Sequence, residues 1–414
     1  MSAVPPLRLA PPEQPAAGVS RNRLIAYAGA ILLMAMSAVG PGFITQTATF
    51  TNTYKASFGA AILASILIDL AIQLNVWRVV GLSGLPAQEL ANRVLPGSGY
   101  LLTFLIVLGG LIFGIGNIAG AGLGLHDLLG IDTRLGAVIS AAIAILIFSY
   151  QALDGVVDRA VIVLGVVKIG LITFIAIKAA PPVGEAIQRT VDPQGLDFLP
   201  VLTLVGGTVG GYITYAGAHR LLESGTTGRE HLTVISRGAT TGILVTGVVR
   251  ILLFLGILGV VAGGFALTKD DPAGSAFRHV AGDAGLRLFG LALWTAGMTS
   301  TIGASFTSAT FLRTLTPVIA RRFSLTISLI ITIATVSYLI IGQTPTSLLI
   351  FAGAFNGLVL PFGLGLLLWA AGRRPDLLPG YRYPRILLVI GLAAWGFTVY
   401  AGWESLTKLP EIFS

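Results

Sequence analysis

Leu24–Tyr54 reads LIAYAGAILLMAMSAVGPGFITQTATFTNTY, thirty-one residues without an Asp, Glu, Lys or Arg, interrupted at the centre by Gly40-Pro41-Gly42. About twenty apolar residues cross a bilayer as a helix. Glycine costs about 1 kcal/mol and proline about 3 kcal/mol inside a helix, so the stretch predicts two half-helices, Leu24–Val39 and Phe43–Tyr54. Broken backbone at membrane depth leaves N–H and C=O groups unpaired, and these are tolerated only inside protein or along a watery cavity. The break is therefore a candidate binding site. Leu199–Leu222 carries a second interruption, Gly206-Gly207 and Gly210-Gly211. Two glycine-broken crossings at corresponding places in a membrane chain mark the midplane site of an inverted-repeat transporter.

The composition agrees. Hydrophobic residues make up 54% of the 414 and charged residues 11%, against about 25% charged in soluble proteins. Apolar stretches of crossing length fall at 24–54, 58–80, 99–124, 134–152, 159–178, 199–222, 238–264, 284–309, 323–341, 346–371 and 385–406. The first 23 residues read as a flexible cytoplasmic tail, 24–406 as the eleven-helix transmembrane domain, and 407–414 as an extracytoplasmic tail. Arg78, Arg93, Arg159, Arg220, Arg229, Arg237, Arg313, Arg321, Arg322, Arg373, Arg374, Arg382 and Arg385 fall on one side. The other holds fewer basic residues, Lys55, Arg134, Lys178, Arg189, Lys269, Arg278 and Arg287, diluted by Asp127, Asp132, Glu185, Asp192, Asp197, Asp270, Asp271 and Asp283. The positive-inside rule then puts the N-terminus in the cytoplasm and the C-terminus outside, as in a bacterial inner-membrane protein. The net charge of +8 is accounted for by these short loops, so no nucleic-acid partner is expected. The expected partners are a small-molecule substrate and the lipid bilayer, with the chain acting as a monomer. The expected architecture is an all-α inverted repeat, spans one to five and six to ten, with an eleventh helix added.

The chemistry at the breaks is neutral. A half-helix starting near Phe43 points its amides, a partial positive charge, into the site, and the one ending near Val39 offers free carbonyls. The nearby side chains include Thr45, Gln46, Thr208, Tyr212 and Tyr215. Hydroxyls and amides hold transition metals weakly but suit a small neutral or carboxylated organic molecule. The alternative reading of the glycines is close helix packing, and that of the hydroxyls is back-bonding to their own helix. No enzymatic constellation is present. The four histidines lie at span ends or in loops without metal-ligand spacing, so neither a metal site nor a cofactor is expected.

Three stretches, LPVLTLVGGTV at Leu199–Val209, TAGMTSTIG at Thr295–Gly303 and Leu360-Pro361-Phe362, taken in order with eleven spans, resemble the natural resistance-associated macrophage protein family. That family belongs to the amino acid–polyamine–cation superfamily with the LeuT fold. The resemblance implies a metal-ion transporter, but this chain departs from it at the functional positions. Gly40 and Phe43 stand where the family's D-P-G-N has Asp and Asn. Gly210 and Tyr212 stand where its M-P-H has Met and His, and Gly217 takes the second His position. Gly114 and Asn117 replace the acidic pair of its proton route.

Other polar residues inside apolar helices are functional by default. Lys168 in span five resembles the lysine that takes the place of a sodium ion in proton-coupled amino-acid transporters of the superfamily, and it is expected to carry the coupling H+. Thr299, Ser300 and Thr301 in span eight keep Na+ as the alternative coupling ion. Asp69 in span two and Arg250 in span seven are expected to form a structural ion pair, with Arg250 a carboxylate partner if they do not. Asn117 and Asn356 are candidate lining residues. The sequence reading is thus proton-coupled uptake of a small organic carboxylate or amino-acid derivative, 5-oxoproline for example, by alternating access. Gly40, Gly42, Phe43, Thr45, Gln46, Gly206, Gly207, Thr208, Gly210, Gly211, Tyr212 and Tyr215 form the substrate site. The alternatives are a Mg2+ or Mn2+ transporter and a non-transporting sensor or subunit.

Overall fold

The computed structural model describes residues 38–149 and 154–406. The two tails, 1–23 and 407–414, and most of the first half-helix lie outside the described residues. Among the described residues there is no strand. The α-helices are α1 Pro41–Tyr54, α2 Phe58–Ser83, α3 Ala87–Val94, α4 Ser98–Leu129, α5 Thr133–Ser149, α6 Asp154–Lys178, α7 Val183–Val191, α8 Phe198–Thr208, α9 Tyr212–Glu223, α10 Leu232–Ala262, α11 Pro272–Leu312, α12 Pro317–Arg321, α13 Phe323–Ile341, α14 Pro345–Arg373 and α15 Arg385–Ser405.

Among the described residues, each predicted apolar stretch coincides with a helix or, at 199–222, with a broken pair of helices. Seven helical stretches have the length and hydropathy of a membrane crossing on their own. The predicted span at 134–152 is shorter, and span eight is diluted by the threonines, serines and glycines of TAGMTSTIGASFTSAT.

Local signals set the ends. Pro41, Pro272, Pro317 and Pro345 each open a helix, where the missing N–H costs nothing and the fixed φ is already helical. That is why α1 starts two residues before the expected Phe43. The segment 265–283, between two predicted spans and expected as a loop, holds the first turns of α11. The Asp271 side chain accepts from Gly274 N at 2.9 Å to cap them, and Gly282 leaves helical geometry and separates them from the crossing. The cap followed by proline is the signal that an apolar-run search passes over. Between residues 165–178 of α6 and α7 the chain turns by 102°.

Repeat-related helices pack on one another, α2 along α10, α4 along α11 and α1 beside α8, and α1 also packs on α10. With α14 against α8 and α4, this arrangement brings the two interruptions together at the centre.

Candidate functional site

The site grows from the two breaks. Val39–Gly40 is non-helical, Gly40 is extended (φ −80°, ψ −178°), and α1 begins at Pro41. In span six α8 ends at Thr208, Val209-Gly210-Gly211 forms a turn, and α9 begins at Tyr212. The break therefore lies at 209–211, and Gly206 and Gly207 are helical. Gly211 has φ +52°, a left-handed conformation that glycine adopts without cost. A Cβ there would lie 1.7 Å from Asn356 Oδ1. At Gly206 a Cβ would lie 1.9 Å from the Gly353 carbonyl of α14, so Gly206 serves close packing between α8 and α14, as the packing alternative held.

Lys168 is 5% exposed, and its Nζ donates to the Val39 carbonyl at 2.7 Å. One of the free carbonyls of the first break is thus held by a side chain from α6. Of the span-eight hydroxyls, Thr299 donates back to Thr295 and Ala296 of its own helix, and Thr301 Oγ1 is buried without a partner. Ser300 is buried beside it.

Asp69 and Arg250 are 1% and 2% exposed, and the expected direct ion pair is absent. Thr208, the last residue of α8, stands between them. Arg250 Nη1 donates to Thr208 Oγ1 at 3.0 Å, Asp69 meets the same threonine, and the two charges act on each other electrostatically. Thr208 also donates to Leu204 O at 2.8 Å. The guanidinium lies over the Phe43 ring at 4.0 Å, a favourable cation–π geometry. Arg250 thus touches α1 just past the first break and α8 just before the second. Its Nε and Nη2 are buried without partners, as is Asp69 Oδ1. Unsatisfied buried donors cost about 1–3 kcal/mol each, and a ligand that accepted from them would recover that energy.

Other lining groups are also incompletely used. Gln46 Nε2 donates to Leu349 O at 3.1 Å, linking α1 to α14, while Oε1 has no partner. Asn356 Nδ2 donates to Gly109 O at 3.2 Å and Ala352 O at 2.9 Å, leaving Oδ1 free at Gly211. Asn117 lies against Tyr212, whose ring meets Phe113 edge-on at 5.5 Å. The Tyr215 hydroxyl is buried without a partner. Gly42, Phe43, Thr45, Gly207 and Gly210 are buried at or beside the breaks.

Sequence reasoning missed the support beneath α9. Gln73 Oε1 accepts from Thr214 Oγ1 at 2.9 Å, and Trp77 Nε1 donates to Thr214 O at 3.0 Å. Asp69, Gln73 and Trp77 recur every four residues, one face of α2, and that spacing was the available signal. The Trp77 ring also occupies the space a side chain at Gly217 would need, its nearest atom 2.2 Å from a Cβ placed there.

Two interrupted helices crossing at mid-depth, braced by repeat-related partners, define a LeuT-type membrane transporter. The fold is shared with a histidine-to-alanine mutant of the Eremococcus coleocola manganese transporter, at TM-score 0.73 and 19% identity over 96% of this chain and 89% of that one. MhsT in complex with L-phenylalanine matches at TM-score 0.65 and 15% identity over 91% and 98%. Inward-facing Mhp1 matches at TM-score 0.63 and 17% identity over 93% and 90%.

Within that class the chain belongs to the natural resistance-associated macrophage protein-like family, which it matches over residues 31–407. It is 47% identical to the Bacillus subtilis membrane protein YcsG over 387 residues, 93% of this chain and 95% of that one. It is 48% identical to a membrane protein of Haemophilus influenzae over 370 residues, 89% and 93% of the two chains. Both relatives are described as uncharacterized membrane proteins.

Proposed function

We propose that this transporter carries a small organic carboxylate, with a proton as the coupling ion. The observation that carries the reading is Arg250, a buried guanidinium touching both interrupted spans, with Nε and Nη2 unpartnered. A carboxylate accepting both N–H groups recovers their lost hydration in the bidentate geometry arginine favours. A divalent cation at the same point meets like charge. The free acceptors Gln46 Oε1, Asn356 Oδ1 and Asp69 Oδ1 suit a substrate that also carries N–H donors, as an amino-acid derivative or a cyclic amide acid such as 5-oxoproline does. Gly40, Gly210 and Gly217, where the family carries metal ligands or their partners, supply no side-chain donor.

Lys168 couples the proton in this reading. Its ammonium holds the Val39 carbonyl by a charge-assisted bond in the proton-loaded form, and the neutral amine holds it more weakly, so the first break loosens with each proton delivered. Alternating access follows from rocking of α1, α2, α8, α9 and α10 against α4, α5, α11 and α13.

A second reading, transport of Mg2+ or Mn2+, is favoured by family membership and by the manganese transporter among the structural neighbours. Mg2+ retains waters and takes oxygen ligands, which the breaks supply. A thermal-shift screen of purified protein with 5-oxoproline, other small carboxylates, MnCl2 and MgCl2 separates the two. Stabilisation by a carboxylate that Arg250→Gln abolishes supports the first, and stabilisation by a metal alone rejects it.

A further inference from the structure

Away from the breaks, on the arginine-rich face, a cavity of about 500 Å3 is lined by Arg229, Pro375, Leu378, Gly380, Tyr381 and Arg382. No lining residue is acidic. The acid of the 374–384 loop, Asp376, is already clamped by Arg374 Nη2 at 2.9 Å. Arg229 and Arg382 have no partner among the described residues, and both are exposed.

Behind the cavity wall, Arg78 of α2 donates to the Tyr381 hydroxyl and to Ser236 Oγ at 3.0 Å, while its Nε is buried without a partner. The Arg78 guanidinium lies 5.9 Å from the Tyr381 ring centroid. The Gly228 amide donates to Gly81 O at 2.9 Å, tying the Arg229 segment to the end of α2. Leu377 and Leu378 are buried beneath the loop and Tyr383 bonds Asn75 of α2 at 2.8 Å, so the lining is anchored on packed elements.

We propose that this cavity is a binding site for a phosphate group. Two guanidinium forks lining one pocket with no acidic lining residue match the planar, bidentate chemistry of a phosphate anion. Solvated lysines scattered on a surface would not. The bound phosphate joins Arg229, at the entrance to α10, to Arg382, between α14 and α15, and so staples the α2–α10 pair to that loop. A phospholipid headgroup and a free phosphate share this chemistry.

The test uses full-length protein in nanodiscs and reads the melting temperature at fixed ionic strength. In phosphatidylcholine discs, inorganic phosphate replacing chloride raises the melting temperature by a few degrees if the source is soluble. Discs containing phosphatidylglycerol raise it without added phosphate if the source is a headgroup. In either case the shift disappears in R229Q/R382Q and persists in R321Q/R322Q, which removes equal charge from exposed arginines elsewhere. No shift from either phosphate source, or equal loss of the shift in both double variants, overturns the proposal. None of these residues touches the interrupted spans, so R229Q/R382Q keeps its substrate-induced shift whichever way the phosphate result falls.

Discussion

In the proposed mechanism Arg250 and Lys168 have separate tasks, substrate binding and proton coupling. Arg250 keeps two N–H groups unspent between the breaks, and Lys168 spends its proton on the Val39 carbonyl. Hydrogen bonds to charged groups contribute about 1.5–3 kcal/mol. R250Q is therefore expected to weaken substrate affinity about 10- to 100-fold in equilibrium binding of labelled carboxylate, with R250K intermediate because an ammonium lacks the fork. K168Q keeps an N–H to offer Val39 but cannot move a proton. In proteoliposomes it is expected to retain counterflow exchange and lose accumulation driven by an inward proton gradient. Gradient-driven accumulation in K168Q at the wild-type rate would remove the lysine from the coupling scheme.

The broken helices were legible in the sequence because proline and glycine act locally. Gly40-Pro41-Gly42 and Gly210-Gly211 interrupt their spans whatever surrounds them. The roles of the flanking residues were not, because a packing glycine and a conformational glycine look alike in a string. Gly206 lies helical against the α14 backbone, whereas Gly211 makes the turn at φ +52°. The expectation of a direct Asp69–Arg250 ion pair failed for a similar reason. Apolar periodicity shows that two charges are buried but not that Thr208 stands between them. The distinction is testable at Gly211. An alanine there costs about 1–2 kcal/mol for left-handed backbone, besides its collision with Asn356. G211A is expected to lower the melting temperature, and G211A/N356A to be destabilised by less than the sum of the single variants. An additive pair would mean that the side chain of Asn356 does not press on the turn.

For the molecule as a whole, the distribution of charge over the loops predicts an orientation and an acid response. The chain has no cysteine, so single cysteines report sidedness without background. D270C is expected to react with a membrane-impermeant thiol reagent from outside intact cells and R322C only after permeabilisation, with the reverse order inverting the topology. Next to Asp270, Asp271 is half-buried at the cap of α11 and faces His126 and Asp127 at the end of α4. Burial outweighs the cap bond from Gly274 and the pull of His126, and pushes its carboxyl up to about 6. A carboxyl raised on folding binds its proton more tightly in the native state, so the Asp271 contribution to stability is full below about pH 4, the unfolded value. That contribution is lost as pH rises through about 6. The melting temperature of wild-type protein should decline across that window. D271N, whose amide oxygen still accepts from Gly274, should remove the Asp271 part of the decline. An unchanged slope in D271N would assign the acid response to other carboxylates on the same face, Asp127 foremost.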